Sequence, residues 1–354
     1  MVGRNYGEWD YAVEKAVRKS GGWINAHTHL DRANTFSKKY FAHVNINPVE
    51  AASFSLRVKQ DLVGNLHTGP AYQPVDLRNR MKYELERAVS LGIKEIISFI
   101  DVSPDIGTAA IDQAIKLKEE FSKKIIFKIA AYPIFGISKP ERWEALKEAV
   151  KATDLIGGLP SRDSREGGVG SDEHMKRMII LGQEQNKEVY FQADQDNDPA
   201  ENETERLVQA VHWLGSPKVH GLSGPTIWAV HAISPSCYGE DRFKRLIDGL
   251  LRENIGIVCC PSAAISMRQL RKKSAPIHNS IARILEMMEA GIPVKIGTDN
   301  ICDVFISSGD GKVESEVWLA SNLLRFYDTF VWAKIGAGVP LNNVDRDIIR
   351  RSRD

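Results

Sequence analysis

Two histidines separated by a single residue follow an apolar segment near the beginning of the chain. The segment 22–26 has the composition of a β-strand, and His27 and His29 come at its end. In a β-strand, residues i and i+2 point to the same face, so both imidazole rings can face one point. Neutral imidazole is a ligand of zinc, iron and similar ions. The pair therefore indicates a metal site if later strands supply more ligands, and otherwise two histidines without a chemical role.

The composition indicates a soluble globular protein and helps to predict its partners. Hydrophobic residues make up 43% and charged residues 26% of the 354 residues, as in soluble globular proteins. The net charge of +1 gives no basic bias, so we expect neither nucleic acid nor membrane as a partner. Cys259 and Cys260 are neighbours in an apolar run, which favours reduced thiols over a disulfide framework. With no signal-peptide pattern and no membrane-spanning run, we expect a cytoplasmic protein.

Strand-like and helix-like segments alternate along most of the chain. Most of the predicted strands are continuous apolar runs, which indicates burial on both faces, as in a parallel sheet covered by helices. Eight such units predict a (β/α)8 TIM barrel, with an open doubly wound sheet as the alternative. The predicted strands are 22–26, 93–101, 124–133, 154–160, 187–194, 226–232, 255–261 and 293–299.

The helices are predicted from apolar spacing between these strands. Ser171 is expected to begin one helix and Asp198 to cap the next, since Ser and Asp are favoured at helix starts. The long segment 32–73, with a helix at 53–63, predicts a lid or wall over the site, or alternatively an oligomer contact. The other predicted helices are 75–90, 106–121, 140–152, 171–186, 199–214, 241–254, 280–290 and one long final helix at 314–332.

Polar residues collect at the predicted strand ends, where a barrel of this kind has its active site. His231 ends strand six and Asp299 ends strand eight, so that both can meet His27 and His29. Such a group would hold a metal ion that lowers the pKa of bound water and keeps it as hydroxide. Asp299 would accept the proton of that water, and His231 would stabilise the hydroxide or the developing oxyanion.

These motifs resemble those of the amidohydrolase superfamily, most of all its cytosine-deaminase-like branch. The resemblance implies one divalent metal ion, zinc or iron and less typically manganese, held by His27, His29 and Asp299, with His231 beside the hydroxide. It also implies a hydrolase of carbon–nitrogen bonds other than peptide bonds that removes an amino group from a small nitrogen heterocycle. The matching stretches are 25–31 (NAHTHLD), 230–232 (VHA), 260–262 (CPS) and 297–303 (GTDNICD).

Strand five departs from the pattern of that branch. The branch has a ligating His at the end of this strand and a proton-carrying Glu three residues later, whereas this chain has Gln192 and Gln195. An amide cannot carry a proton at neutral pH, and its oxygen is a weaker metal ligand than imidazole. We therefore expect Gln192 beside the metal and Gln195 in the catalytic site. Asp194, and next to it Asp196, is the candidate to supply the missing acid, so we expect Asp194 to be catalytic.

The substrate pocket is predicted from the remaining strand ends and loops. A small heterocyclic substrate would contact them there, and the basic stretch 267–273 would meet an anionic group of the substrate or else form a solvated loop. The residues expected to bind substrate are Tyr132, Arg162, Ser262, Arg268 and Asn300.

The sequence predicts a single domain and leaves two alternative functions open. We expect one domain over 1–354, with the barrel at about 22–335 and without most of the β-sandwich that usually accompanies this superfamily. One alternative function is hydrolysis of a cyclic amide or loss of a group other than an amine. Another is a catalytically weakened barrel that binds a ligand, since both strand-five positions are changed. A homo-oligomer is possible with any of these functions.

Overall fold

Eight parallel strands follow one another around a barrel in the order of the sequence. The computed structural model describes residues 7–165, 167–267 and 281–353. The first and last strands meet through a parallel bridge between Thr28 and Asp299, which confirms the predicted (β/α)8 TIM barrel. The strands are β1 (Trp23–Thr28), β2 (Ile93–Asp101), β3 (Ile126–Tyr132), β4 (Leu155–Gly158), β5 (Val189–Ala193), β6 (Ile227–His231), β7 (Ile255–Cys259) and β8 (Val294–Ile296).

Helices surround the barrel and fill the connections between its strands. Among the described residues, no helix is both long enough and apolar enough to cross a membrane. The helices are α1 (Glu8–Lys19), α2 (Lys38–Phe41), α3 (Pro48–Ala52), α4 (Leu56–Thr68), α5 (Pro74–Ser90), α6 (Ala109–Phe121), α7 (Pro140–Ala152), α8 (Pro160–Asp163), α9 (Ser171–Gln185), α10 (Glu203–Leu214), α11 (Glu240–Arg252), α12 (Pro261–Ser266), α13 (Ile284–Ala290), α14 (Val313–Leu324), α15 (Thr329–Gly336) and α16 (Asn343–Arg351).

The end of the chain folds into two helices where one long helix was predicted. Helix α14 stops at Arg325, whose backbone is left-handed (φ +52°). Asp328 then caps α15, because its carboxylate accepts a hydrogen bond from the Val331 N–H at 2.9 Å. The turn lets the buried Trp332 ring donate to the Phe326 carbonyl oxygen at 2.7 Å. An N-cap signal inside an apolar run therefore outweighs the helical periodicity.

One predicted helix start is confirmed, since α9 begins at Ser171, and another differs from the structure. Gly170 holds the N-cap position of α9, so Ser171 is the first helical residue, and its hydroxyl accepts a hydrogen bond from Arg206 at 2.9 Å. Asp198 does not cap α10, which begins later, at Glu203. The connection 32–73 contains three helices, and α4 begins at Leu56 where position 53 was predicted.

A polar group fills the interior of the barrel near the N-terminal ends of the strands. The rings of Tyr190 and Trp228 stack with centroids 5.7 Å apart, and the Lys295 ammonium lies 3.8 Å above the Trp228 ring. Lys295 donates to the Tyr190 hydroxyl at 3.1 Å, and Glu188 accepts from the Trp228 indole at 3.0 Å. Burial lowers the pKa of Lys295 to about 8, because the interior disfavours its charged form.

This lowered pKa makes the contribution of Lys295 to stability depend on pH. Between the folded pKa of about 8 and the ordinary value of 10.5, the unfolded chain holds the proton and the folded chain does not. The penalty for burying the charge is therefore complete below pH 8 and is relieved as the pH rises through this interval. We expect the wild type to gain stability relative to Lys295→Met over that range, measured by urea denaturation. A stability difference that is constant with pH would contradict the assignment.

Candidate metal and catalytic site

Three buried side chains converge at the C-terminal ends of β1 and β8. The Nε2 atoms of His27 and His29 lie 3.2 and 3.4 Å from Asp299 Oδ1. All candidate ligand atoms of these three residues lie within 4.8 Å of one another. His29 Nδ1 is 3.1 Å from the Phe99 carbonyl oxygen, which fixes the proton there and leaves the Nε2 lone pair facing Asp299. Two imidazoles and a carboxylate are a donor set that fits a divalent ion such as zinc or iron.

The closure of the barrel positions these groups. Asp299 has a left-handed backbone (φ +56°), and its N–H donates to the His27 carbonyl oxygen at 2.9 Å. The Thr28 hydroxyl donates to the Asp299 carbonyl oxygen at 2.8 Å. The Asn25 amide donates to the Thr298 hydroxyl at 2.8 Å and accepts from the Thr298 N–H at 3.1 Å. These bonds join β1 to the end of β8 and place the imidazoles against the carboxylate.

The electrostatics favour the protonation states that metal ligands need. Burial, together with the positive charge of Arg32, lowers the pKa of His29 to about 3. Burial likewise lowers the pKa of His231 to about 4. Burial opposes the charge of Asp299, but the close contacts with His27 and His29 and the nearby His231 outweigh it and hold the pKa of the carboxyl well below its ordinary value. At neutral pH, His29 and His231 are therefore neutral and Asp299 is ionised.

The two glutamines of strand five both lie at this site. The side-chain amide of Gln192 is buried, with Nε2 3.4 Å from His29 Nε2. A rotation of the amide exchanges its nitrogen and oxygen, so the same position can present an oxygen to an ion. The Gln195 amide lines the cavity above, and its Nε2 is buried without a hydrogen-bond partner among the described residues. Their predicted roles as ligand and catalytic-site residue stay predictions.

His231 reaches the site from the end of β6 through a strained backbone. His231 and the following Ala232 both have left-handed backbones, with φ of +77° and +48°. Such a conformation costs a non-glycine residue roughly 1–3 kcal/mol and persists where the surrounding structure enforces it. The His231 ring lies 5.4 Å from the His27 ring, and its Nδ1 has no hydrogen-bond partner within the described part of the chain. The imidazole is thus free to contact a substrate or a water molecule.

Asp194 points away from the cavity, contrary to its predicted catalytic role. Its backbone is left-handed (φ +54°), and its carboxylate accepts from the N–H groups of Glu203 at 2.7 Å and Thr204 at 2.9 Å. It therefore caps α10, the position that Asp198 was expected to hold. Asp196 and Asp198 line the cavity instead and are the carboxylates of this loop that face it.

A cavity of about 490 Å³ opens above the three converging side chains. Tyr132 and Asn300, both predicted to bind substrate, line it and are buried. The Tyr132 ring lies 5.3 Å from the His29 ring, and the Asn300 amide is held by Asp303 at 2.5 Å. Residues of α4 form one wall, which agrees with the expected position of the long first connection.

Two other predicted substrate contacts do not face this cavity. Arg162 pairs with Asp61 at 2.5 Å and lies over the Phe135 ring, outside the cavity lining. The Ser262 N–H donates to the Glu316 carboxylate at 2.8 Å, and Ser262 too is outside the lining. Both residues lie in short helices that begin at Pro160 and Pro261, just after β4 and β7. Arg268 and most of the basic stretch 267–273 lie outside the described residues.

Arg32 is the site residue that the sequence analysis missed. It lines the cavity and is only 2% exposed, so its guanidinium is buried beside the converging ligands. Its Nη1 atom lies 3.7 Å from Asp101 Oδ1. The available signal was its position directly after the motif that contains His27 and His29, but an arginine at the start of a long loop is ordinarily a solvent-exposed residue.

The chain is thus a (β/α)8 barrel with three candidate metal ligands at the C-terminal ends of its strands. No family model matches the chain. It is 27% identical over 276 residues to an uncharacterized protein of Haemophilus influenzae, covering 78% of this chain and 94% of that protein. It is 21% identical over 291 residues to a pterin deaminase of Rhizobium rhizogenes, covering 81% of this chain and 61% of the deaminase.

Solved structures of deaminases and related hydrolases share the fold. The 5-methylcytosine deaminase from Klebsiella pneumoniae, bound to 5-fluorocytosine, has a TM-score of 0.73 at 20% identity and covers 94% of this chain and 82% of that one. An adenine deaminase from Arthrobacter aurescens has a TM-score of 0.60 at 16% identity. The match covers 94% of this chain and 99% of that one. These solved structures confirm the barrel fold, and they and the Rhizobium rhizogenes relative are deaminases by name, in line with the expected resemblance.

Gly297 provides a direct test of how the metal ligands are positioned. A Cβ atom at Gly297 would lie 2.6 Å from His27 Cβ and 2.9 Å from the His27 nitrogen, so Gly297→Ala must push β1 away from β8. We expect divalent-metal affinity to fall about 10- to 100-fold, as when other groups that orient ligands are changed. Metal titration measures this, with Gly224→Ala as control because no atom lies within 4 Å of its Cβ position. Equal affinity in both variants would contradict the positioning role.

Proposed function

We propose that this protein is a metal-dependent aminohydrolase that removes an amino group from a small nitrogen heterocycle. The observation that carries the proposal is the convergence of His27, His29 and Asp299 beneath a cavity of about 490 Å³ in a deaminase-like barrel. Cavities of this size suit a single small molecule. The relatives and solved structures with similar folds include deaminases of pterin, cytosine and adenine rings by name, which supports the substrate class.

A divalent ion, zinc or iron and alternatively manganese, would be held by His27, His29, Asp299 and the amide oxygen of Gln192. When bound, such an ion supplies the Lewis acidity that makes water a nucleophile near neutral pH. Asp299 is ionised and lies at the same point, so its carboxylate accepts the proton that the attacking water loses. Neutral His231 donates its N–H to the oxygen that develops negative charge during attack on the ring carbon.

The departing amine must receive a proton before the carbon–nitrogen bond breaks. Gln195 cannot supply one, but its unpaired Nε2 can hydrogen-bond to a ring nitrogen or carbonyl and fix the ring orientation. In this proposal Asp299 passes the proton taken from water to the amino nitrogen, which then leaves as ammonia while the hydroxyl oxygen stays on the ring carbon. Asp196 and Asp198 line the other side of the cavity and extend the set of carboxylates within it. Water and the aminoheterocycle thus give ammonia and the corresponding oxo heterocycle.

The proposal extends to the partner and the location of the protein. The partner is a small heterocyclic molecule, and the net charge of +1 offers no preference for nucleic acid or membrane. Cys237, Cys259, Cys260 and Cys302 are all free thiols, as in proteins of a reducing compartment, which supports a cytoplasmic location. Self-association stays a prediction.

The decisive experiment measures metal content and ammonia release on the same preparation. We expect about one equivalent of zinc, iron or manganese, and ammonia release from at least one member of a panel of aminopyrimidines, aminopurines, pterins and triazines. His27→Ala should lose the metal and at least about 100-fold in activity, because removing a ligand is more severe than disturbing its support. Metal binding without ammonia release from any panel member would sink the aminohydrolase assignment.

The alternative reactions, cyclic amide hydrolysis and loss of a group other than an amine, are separated by Gln195→Glu. Gln195 lines the cavity, so a glutamate there supplies an acid to the site and tests whether the reaction needs one. If the native reaction is deamination with Gln195 limiting proton delivery, we expect the rate of ammonia release to rise about tenfold or more. Loss of a native hydrolysis in the same variant would favour the alternatives, and metal-free protein that binds heterocycles would favour a ligand-binding barrel.

A further inference from the structure

Arg32 lies buried in the cavity wall with hydrogen-bond donors that the described residues leave unsatisfied. Its Nε and Nη1 atoms have no hydrogen-bond partner there, although the residue is 2% exposed. A guanidinium keeps its charge at every physiological pH and offers five N–H groups. Burying such donors without acceptors costs free energy, so a native protein retains them where a ligand supplies the acceptors.

Asp101 balances the charge of Arg32 without satisfying its donors. The nearest carboxylate oxygen, Oδ1, is 3.7 Å from Arg32 Nη1, which is too long for a hydrogen bond. The other oxygen, Oδ2, already accepts from the Tyr72 hydroxyl at 2.9 Å and lies 3.3 Å from His67 Nε2. One face of the guanidinium lies 5.1 Å from the Phe305 ring, which holds the group in place. Its N–H edges remain for a ligand.

The charges that line the cavity are divided between its two sides. Arg57 and Lys59 on α4 line the cavity together with Arg32, whereas Asp196 and Asp198 line it from the loop after β5. Arg32 is close enough to the converging ligands for its charge to act on His29. A substrate over His29 therefore meets cations on one side and carboxylates on the other.

We propose that Arg32 binds a carboxylate of the substrate, so that the protein acts on aminoheterocycles that carry a ring carboxylate. The proposal rests on the aminohydrolase function proposed above and names its substrate class. A carboxylate brings two acceptor oxygens and a full negative charge, which match a guanidinium better than a single neutral ring carbonyl. Arg57 and Lys59 add to the attraction, while the acidic side of the cavity disfavours the reverse orientation. The amino group then faces Asp299 and Asp196.

Matched pairs of compounds test the proposal with metal-loaded protein. The pairs are 5-carboxycytosine with cytosine and pterin-6-carboxylate with pterin, in binding calorimetry and in ammonia release. We expect the wild type to prefer the carboxylated member of at least one pair by tenfold or more. In Arg32→Gln we expect the affinity for that compound to fall about 10- to 100-fold, as for a lost hydrogen bond to a charged group, with its partner compound changed less than about threefold.

Two further variants separate recognition from a purely structural role. Arg78→Gln removes an arginine that pairs with Glu120 on the outside of the barrel, at 2.5 Å, and should leave the preference intact. If Arg32 only balances Asp101, then Arg32→Gln weakens both members of a pair equally and Arg32→Gln/Asp101→Asn restores them. That result would overturn the proposal. If the proposal is correct, the double variant still lacks the preference for the carboxylated compound over its uncarboxylated partner.

The outcomes also distinguish this proposal from the function on which it rests. Ammonia release from cytosine or pterin with no preference for the carboxylated member would leave the aminohydrolase function standing and overturn the role of Arg32. Arg32-dependent binding of a carboxylated compound without ammonia release would support the role of Arg32 and reject deamination of that ring. Absence of preference in both pairs, in binding and in turnover, overturns the substrate class.

Discussion

The hydrogen bond from the Asp299 N–H to the His27 carbonyl oxygen is the contact on which the rest of the site depends. It joins the last strand of the barrel to the first, and it does so at the two residues whose side chains meet. Asn25 and Thr298 reinforce the same junction, one residue before Asp299 in the segment that follows β8. Fold closure and ligand geometry are therefore a single event, because the barrel cannot close without bringing the carboxylate to the imidazoles.

Around this junction two buried histidines are neutral and the buried aspartate is charged. His29 and His231 stay neutral because burial lowers their pKa values, while the nearby histidines keep the pKa of Asp299 low, so that its carboxyl stays ionised. Behind them, Asp31 Oδ2 accepts from the Asp101 N–H at 2.9 Å and lies 2.9 Å from the Tyr72 hydroxyl oxygen. This second layer fixes the turn that follows the first motif and provides the counter-charge for the arginine in the cavity wall.

Much of this architecture was predictable from the sequence, and the failures have a common physical origin. Apolar runs locate buried strands well, and β2 and α7 have the predicted bounds. The direction of side chains at the ends of strands is harder to predict, because side chains alternate between the two faces only while the backbone is extended. Asp194 is left-handed, so its carboxylate turns to α10 and not to the cavity. Arg162 lies within the short helix α8 and pairs with Asp61, and a buried Arg32 has no periodic signal at all.

The anchoring of Asp194 also has a consequence for how this barrel can diverge. Gln192 and Gln195 flank a residue whose carboxylate is bonded to two backbone N–H groups of α10 and whose carbonyl oxygen accepts from the N–H groups of Ile233 and Ser234. The path of the chain through this loop is thus set by Asp194 and not by either glutamine. Imidazole, amide and carboxylate side chains can replace one another at positions 192 and 195 on an unchanged backbone. The side chains at positions 192 and 195 can therefore change independently of the backbone, and new reactions can evolve here without a new fold.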